Sequence, residues 1–297
     1  MKNIERDHLI PDGSKVIVTK MNHLVEVQYM EKCNGQIRIR KLDSTHYLDL
    51  VTGEIREFEL SDNRGENYNS LRKTFKRLRY LINNNFVGGR NELFITLTYK
   101  ENMQNRERLY DDFKKFMKRF RYKYQGMGSV DYLSVVEPQA RGAWHMHVLM
   151  RFNQVANVFI PNKEIAELWG HGFVHVRAVN NIDNIGAYLT AYLTDIELTD
   201  DVAQVDGNVV VKEVEERKKA FIKGGRLHLY PAGMNLYRCS RGIKKPDRVG
   251  MSYDELKKVV KGVNPHYSQV ISIHDEMTGF SNTIIYEQYN MKRGLME

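Results

Sequence analysis

In the first sixty residues apolar and polar positions alternate, the period expected of half-buried β-strands. Strand-like runs cover residues 15–19, 25–29, 36–40 and 47–51. Asn34-Gly35 lies between the second and third runs and is typical of a two-residue hairpin turn. A polar stretch at 61–65 then predicts a linker. We therefore expect a small antiparallel β module at residues 1–62.

After this stretch the apolar spacing becomes helical. Residues 69–85 and 106–124 each carry one apolar stripe at intervals of three and four, with Lys and Arg on their other faces. The short apolar run at 93–99 is typical of a buried strand. Further strands are predicted at 132–137, 145–150 and 173–176, and further helices at 163–168 and 184–198. This mixture predicts an α+β fold.

Composition narrows the class of partner. The formal net charge is +8 and the sequence pI is about 9.2, which favours an anionic partner. No apolar run approaches the ~18 residues of a membrane-spanning helix, so we expect no membrane partner. Cys33 and Cys239 lie far apart, which speaks against a disulfide framework or a cysteine-bound zinc site. We expect a cytoplasmic protein.

The two basic helices are candidate DNA-binding elements. The second carries the densest positive cluster of the chain, interleaved with aromatic residues: Lys114, Lys115, Lys118, Arg119, Arg121 and Lys123. The first helix contributes Arg72, Lys76 and Arg79. Such faces either contact nucleic-acid phosphates or are solvated surfaces without a partner.

The sharpest chemical feature is the tripeptide His145-Met146-His147. On a strand, residues i and i+2 point to the same face, so the two imidazoles lie side by side. Glu137 ends the preceding strand, and a hairpin turn returns its carboxylate toward them. Two imidazoles and one carboxylate suit Mg²⁺ or Mn²⁺, although ligand type alone leaves zinc open. The alternative is a pair of partly buried strand histidines.

A second feature is the pair Tyr188 and Tyr192, spaced i, i+4 along the edge of the last predicted helix. This spacing lets the rings pack while both hydroxyls reach a cleft. Tyrosines that only pack at the boundary of the core would have the same spacing.

Three segments resemble, in order and character, the motifs of rolling-circle replication initiators of the HUH endonuclease superfamily, of the bacterial plasmid, phage and mobile-element type. Residues 94–99 are similar to the first motif, and Glu137 with 144–149 to the second. Residues 186–193 are similar to the nucleophile helix. Segments 223–226 and 240–246 also resemble the region after the third motif.

The resemblance implies a ferredoxin- or RRM-like nuclease domain, with a central antiparallel sheet and flanking helices, at residues 63–200. A C-terminal extension at 201–297 would complete or flank it. It implies a nicking and joining enzyme in which His145, His147 and Glu137 hold Mg²⁺ or Mn²⁺. A tyrosine attacks single-stranded origin DNA, leaving a 5′-phosphotyrosine and a 3′-hydroxyl primer, and the strands are later rejoined. Host helicase and DNA polymerase are the expected partners, because no phosphate-binding loop of a fused helicase occurs.

One departure from the family pattern concerns tyrosine ionisation. The family usually has Lys three residues after a nucleophilic tyrosine, where this chain has Ala191 and Asp195. The resemblance favours Tyr192 as the attacking residue and leaves a role for Tyr188 open.

Other functions remain possible on the sequence alone. A conjugative relaxase or a single-strand transposase of the same superfamily would use the same chemistry. A non-catalytic binder on an RRM-like sheet would stack bases on exposed aromatics such as Phe94 or Tyr99. A zinc hydrolase would use His171 and His175, whose spacing fits one face of a helix.

Overall fold

The computed structural model describes residues 10–33, 37–58, 68–139, 142–180, 182–194, 196–197, 209–214, 217–222, 230–231, 234–277 and 279–293. The chain divides into two compact units. One unit combines residues 1–60 with 246–297, and the other spans residues 61–245.

The described residues form sixteen strands and five α-helices. The strands are β1 (Lys15–Met21), β2 (Leu24–Met30), β3 (Ile39–Lys41), β4 (His46–Asp49), β5 (Ile55–Glu57), β6 (Glu92–Leu97), β7 (Val130–Pro138), β8 (Trp144–Phe152), β9 (Val174–Ala178), β10 (Ile196–Glu197), β11 (Val209–Val214), β12 (Arg217–Ile222), β13 (Tyr237–Cys239), β14 (Arg248–Ser252), β15 (Tyr267–Asp275) and β16 (Phe280–Asn290). The helices are α1 (Tyr68–Asn85), α2 (Arg106–Lys123), α3 (Asn162–Trp169), α4 (Ile185–Thr194) and α5 (Tyr253–Val260).

The larger unit is built on a five-stranded antiparallel sheet in the order β13-β7-β8-β6-β9. Helices cover both faces of this sheet. One face packs Ile95 and Val148 against α2 and α3, and the other packs Phe94 and Leu149 against α1 and α4. Because both faces are buried, β6 is a continuous apolar run rather than an alternating one. The predicted α+β class is confirmed.

The predicted apolar stripes lie where helical periodicity put them. In α2 the buried side chains are Leu109, Asp112, Phe113, Phe116, Met117 and Phe120. In α1, Leu78 and Ile82 are fully buried under the sheet face that α4 also covers. Trp144 and Trp169 are packing residues, and each donates its indole N–H to a backbone carbonyl.

The smaller unit contains a second five-stranded sheet, in the order β14-β1-β2-β16-β15, and a separate three-stranded sheet β3-β4-β5. Helix α5 packs Leu256 and Val260 against Val16, Val18 and other apolar residues of the larger sheet. The N-terminal β module of the prediction therefore shares its main sheet with strands from the other end of the chain.

Three sequence-based expectations differ from the structure. The hairpin at Asn34-Gly35 is not formed, because β2 and β3 lie in different sheets; residues 34–36 themselves are outside the described part. The helix predicted at 184–198 ends at Thr194, because Ile196 and Glu197 pair as β10 with β12. The segment assigned to one C-terminal extension, 201–297, is divided between both units.

No helix in the described part of the chain is long and apolar enough to cross a membrane.

Helix α4 is held against α1 by a close backbone approach at Gly186. The amide of Gly186 donates to Asn83 Oδ1 at 2.8 Å. A Cβ at this position would lie 2.6 Å from Asn83 Oδ1 and 2.8 Å from the carbonyl oxygen of Arg79. The glycine therefore sets how closely the tyrosine-bearing helix packs on its neighbour.

We expect Gly186→Ala to destabilise the protein by about 1–3 kcal/mol, because a methyl group must be accommodated between two packed helices. Gly126→Ala is the matched control, since a Cβ there meets nothing within 4 Å. Both replacements restrict the unfolded chain alike, so their difference in urea midpoint isolates the packing cost. Equal midpoints for the two variants would contradict this role for Gly186.

Candidate functional site

The β7–β8 hairpin places the predicted metal ligands on one face of the sheet. In its register Glu137 is opposite His145, and Val135 is opposite His147. Directly opposed residues of an antiparallel pair share a face, so all four side chains point toward the α1 and α4 side. Gly142, with φ +86, and a hydrogen bond from Gln139 N to Ala143 O close the turn.

His147 is the most constrained side chain of this group. Its Nε2 is in direct contact with Glu137 Oε2, and its Nδ1 is 3.1 Å from Thr96 Oγ1. The Phe94 ring stacks on the imidazole with centroids 5.4 Å apart and planes at 9°. Burial lowers the pKa of His147 to about 4, so the imidazole is neutral at neutral pH.

A neutral imidazole can act as a metal ligand through one nitrogen if the other carries the proton. The Thr96 hydroxyl can either accept a hydrogen bond from Nδ1–H or donate one to an unprotonated Nδ1. With Nδ1 protonated, the lone pair of Nε2 is directed toward the Glu137 carboxylate. A hydroxyl that orients an imidazole beside a carboxylate in this way suits a cation between Nε2 and Oε2.

His145 lies on the same face, one residue pair nearer the hairpin turn. Its ring is half-buried, and its centroid is 6.5 Å from that of His147 with the planes at 81°. Among the described residues, no three His, Cys, Asp or Glu side chains are close enough together to form a metal-binding group. The structure thus brings Glu137 and His147 into contact and leaves His145 beside them. The donor chemistry of the three fits a divalent cation.

Strand β9 adds residues to this face that the sequence analysis did not include. Its register places His175 opposite Thr96, and Arg177 opposite Phe94. Val174 and Val176 point to the other face, into the core under α2 and α3. The row across the sheet is therefore His147, Thr96 and His175. Only the strand order reveals this row, because β9 pairs with β6 rather than with the neighbouring hairpin.

Tyr188 is the tyrosine of α4 whose side chain the structure describes. It is half-buried and packs against the apolar cluster containing Leu149 and Phe94. Arg177 Nη1 donates to the Tyr188 hydroxyl at 3.3 Å. The backbone of Tyr192 belongs to α4, but its side chain and all of Asp195 lie outside the described part.

The two predicted basic faces lie on opposite sides of the sheet. Helix α1, with Lys76 and Arg79 half-buried, covers the His147 face, whereas α2 covers the other one. The side chain of Arg72 lies outside the described part. All six predicted cations of α2 are exposed, but two of them also hold α3. Arg119 donates to the carbonyl oxygens of Leu168 and Trp169, and Lys123 pairs with Glu164 at 2.9 Å.

Charge is distributed unevenly between the two units. Residues 61–245 contain 30 Lys and Arg against 20 Asp and Glu, whereas the rest of the chain contains 15 against 17. The positive charge of the protein therefore belongs to the unit that holds His147.

Two alternatives from the sequence do not match the structure. Phe94 and Tyr99 are 5% and 3% exposed, so neither ring is available to stack on a base. His171 packs against Tyr99 and Trp169 on the α2 side, with its Nε2 3.6 Å from Asp112 Oδ1. His175 faces the α4 side, so the two histidines do not form one zinc site, and the segment is not a helix.

A scan against family models matches residues 92–197 to the replication-associated protein ORF2 family. No match was found among curated proteins or among solved structures. The matched segment covers about a third of the chain, lies within the basic unit and contains β6, the β7–β8 hairpin, β9 and α4. The similarity supports a protein of the replication-initiator type.

Proposed function

We propose that this protein is a replication initiator of the HUH endonuclease superfamily that nicks and rejoins single-stranded origin DNA through a covalent phosphotyrosine. The observation that carries the proposal is the contact of His147 Nε2 with Glu137 on the sheet face that α4 covers with Tyr188. The match of residues 92–197 to a replication-associated family supports the same conclusion.

His147, Glu137 and His145 are the residues that would hold a divalent cation, Mg²⁺ or Mn²⁺. When bound, such an ion supplies a Lewis acid for a phosphate oxygen. Thr96 holds the His147 ring through Nδ1, and Phe94 packs flat on it, so the direction of Nε2 is fixed before substrate arrives. Burial keeps this imidazole unprotonated and therefore available as a ligand.

The reaction is a transesterification. The phenolic oxygen of a tyrosine in α4 forms a bond to the phosphorus, and the bond from phosphorus to the 3′-oxygen breaks. The phenolic proton is lost to a base or solvent, and the departing 3′-oxygen takes up a proton. The products are a 5′-phosphotyrosine and a 3′-hydroxyl. Because the phosphodiester energy is retained, a later 3′-hydroxyl reverses the step and joins the strands.

Tyrosine ionises with a reference pKa near ~10, so a neighbouring positive charge assists its attack. The helix lacks the usual Lys, since positions 191 and 195 are Ala and Asp. Arg177, whose guanidinium hydrogen-bonds the Tyr188 hydroxyl, is suited to this role from the adjacent strand. We propose that Tyr188 attacks with the help of Arg177 and that Tyr192 is the second nucleophile.

Basic side chains on both helices would contact the DNA backbone. Lys76, Arg79 and Arg72 belong to the helix that covers the site face. The exposed α2 residues Lys114, Lys115, Lys118, Arg119, Arg121 and Lys123 would contact DNA farther from the reacting phosphate.

The two tyrosines are tested by replacing each with Phe, which removes the nucleophilic oxygen and keeps the ring. We expect Tyr188→Phe to abolish formation of the first covalent adduct on single-stranded DNA, read by denaturing gel. Tyr192→Phe should retain it and lose strand transfer. Tyr122→Phe, a highly exposed tyrosine on the opposite face, is the control. Adduct formation by the Tyr188→Phe, Tyr192→Phe double variant would place the nucleophile elsewhere.

The cation site is tested by Glu137→Gln and His147→Ala, each of which removes one of the two contacting donors. We expect either change, or a chelator with the unchanged protein, to lower nicking by at least about 100-fold, in line with the loss of a Lewis acid. Isothermal titration with Mn²⁺ should lose its binding heat in both variants. His171→Ala, on the other sheet face, should bind Mn²⁺ normally. Nicking that is indifferent to the chelator would contradict the site.

The Arg177 role predicts a shift in pH dependence. Arg177→Gln should slow adduct formation by about 10- to 100-fold at neutral pH, the range expected for a lost charge-assisted hydrogen bond. The deficit should shrink as pH rises toward tyrosine ionisation, and Arg177→Lys should recover part of the rate. Lys163→Gln on α3 removes one exposed charge on the other face and should keep the unchanged profile. A pH-independent deficit would show that Arg177 acts only structurally.

A further inference from the structure

We infer that Phe173 is a base-stacking subsite for the single-stranded DNA substrate, at the edge of the sheet face that holds His147. The inference rests on the proposed function for the identity of the strand that passes this face. It does not depend on the covalent step.

Phe173 is unusual in being held rigidly by its backbone while its ring is left in solvent. Thr98 donates to the Phe173 carbonyl oxygen twice, from its amide at 3.0 Å and from its hydroxyl at 2.7 Å. The preceding Gly172 runs so close to β6 that a Cβ there would lie 2.6 Å from Lys100 N and 2.7 Å from Thr98 O. Phe173 is nevertheless 68% exposed.

The position of the ring follows from the strand that it precedes. Val174 and Val176 enter the core under α2 and α3, so Phe173 is in phase with His175 and Arg177, which point to the opposite face. That face also carries His147, two strands away across β6, or about 10 Å at the usual strand spacing. His175, between Phe173 and Arg177 in this alternation, is exposed as well.

These features fit a nucleobase better than an apolar protein segment. A single fixed aromatic ring with an imidazole and a guanidinium on the same strand offers a stacking surface beside two groups that can contact phosphate. The unit has an excess of ten positive charges, which matches a polyanion. A fixed ring also loses little side-chain entropy on binding.

The stacking role explains why the aromatics considered from the sequence are unsuitable. Phe94 covers His147 and Tyr99 is buried beside Asp112, so both are parts of the core. Phe173 takes the role that an exposed sheet aromatic has in single-strand binders.

The test is a binding cycle with two strands of equal length and charge, oligothymidylate and an abasic deoxyribose-phosphate strand. Affinities are measured by fluorescence anisotropy in EDTA, using the Tyr188→Phe, Tyr192→Phe background so that no covalent step contributes. We expect Phe173→Ala to weaken oligothymidylate binding by about 5- to 150-fold, the range of one lost stacking contact. Binding of the abasic strand should change by less than about twofold.

Two further variants keep the result interpretable. Phe173→Trp should retain the preference for oligothymidylate, because it keeps a stacking ring. Phe159→Ala removes another ring, 84% exposed and outside the β9 face, and should leave both affinities unchanged. The slope of affinity against salt should be the same in all variants, since no charge is removed.

Three outcomes would overturn the inference: Phe173→Ala binding within about twofold of the background protein, equal losses on both strands, or an equal loss in Phe159→Ala. A stacking effect without any covalent adduct in the unaltered protein would refute the nicking reaction and leave the subsite. An adduct without a stacking effect would do the reverse.

Discussion

The site depends on the backbone register of three antiparallel strands. Pairing of β7 with β8 turns Glu137 toward the two histidines, and pairing of β8 with β6 brings Thr96 beside His147. A slip of one residue in either pair would send these side chains to the opposite face, into the core under α2 and α3. The register is fixed because both faces of the sheet are buried, so a slip would also expose apolar residues such as Ile95 and Val148.

This constraint explains why a buried carboxylate and imidazole are tolerated in the sheet. Each alone would carry a large desolvation cost, and each is accommodated by contact with the other. Thr96 and Phe94 occupy the remaining sides of the imidazole. The arrangement is preorganised, since the side chains are packed by β-strands and not carried on loops.

The sequence predicted local structure well where one periodicity dominated. Helices α1, α2 and α3 begin and end within a few residues of the predicted ranges, and the β7–β8 hairpin follows from the two strand-like runs around residues 138–142. The pairing of Glu137 with the histidine strand was accessible for the same reason. Contacts that depend on strand order were not. Thr96 and Arg177 approach the site only because β6 lies between β8 and β9, and no spacing in the sequence encodes that order.

The basic helices illustrate a related limit. Periodicity identifies which side of α2 is buried, but not which face of the sheet that side covers. The helix lies on the face opposite His147, and Arg119 and Lys123 partly serve to hold α3 there. Strands β14, β15 and β16 were missed because their weak alternation lies within basic and mixed segments that have no turn signal of their own.

The pairing of β2 with β16 has a consequence for how the chain is made. The strand that begins one unit waits for a partner more than two hundred residues later, while residues 61–245 emerge from the ribosome as a complete unit in between. At about 5–20 residues per second, the interval lasts roughly ten to fifty seconds. The unit started first is therefore the last to close, and until α5 and β16 arrive the apolar face of β1 and β2 is exposed to chaperones and to neighbouring nascent chains.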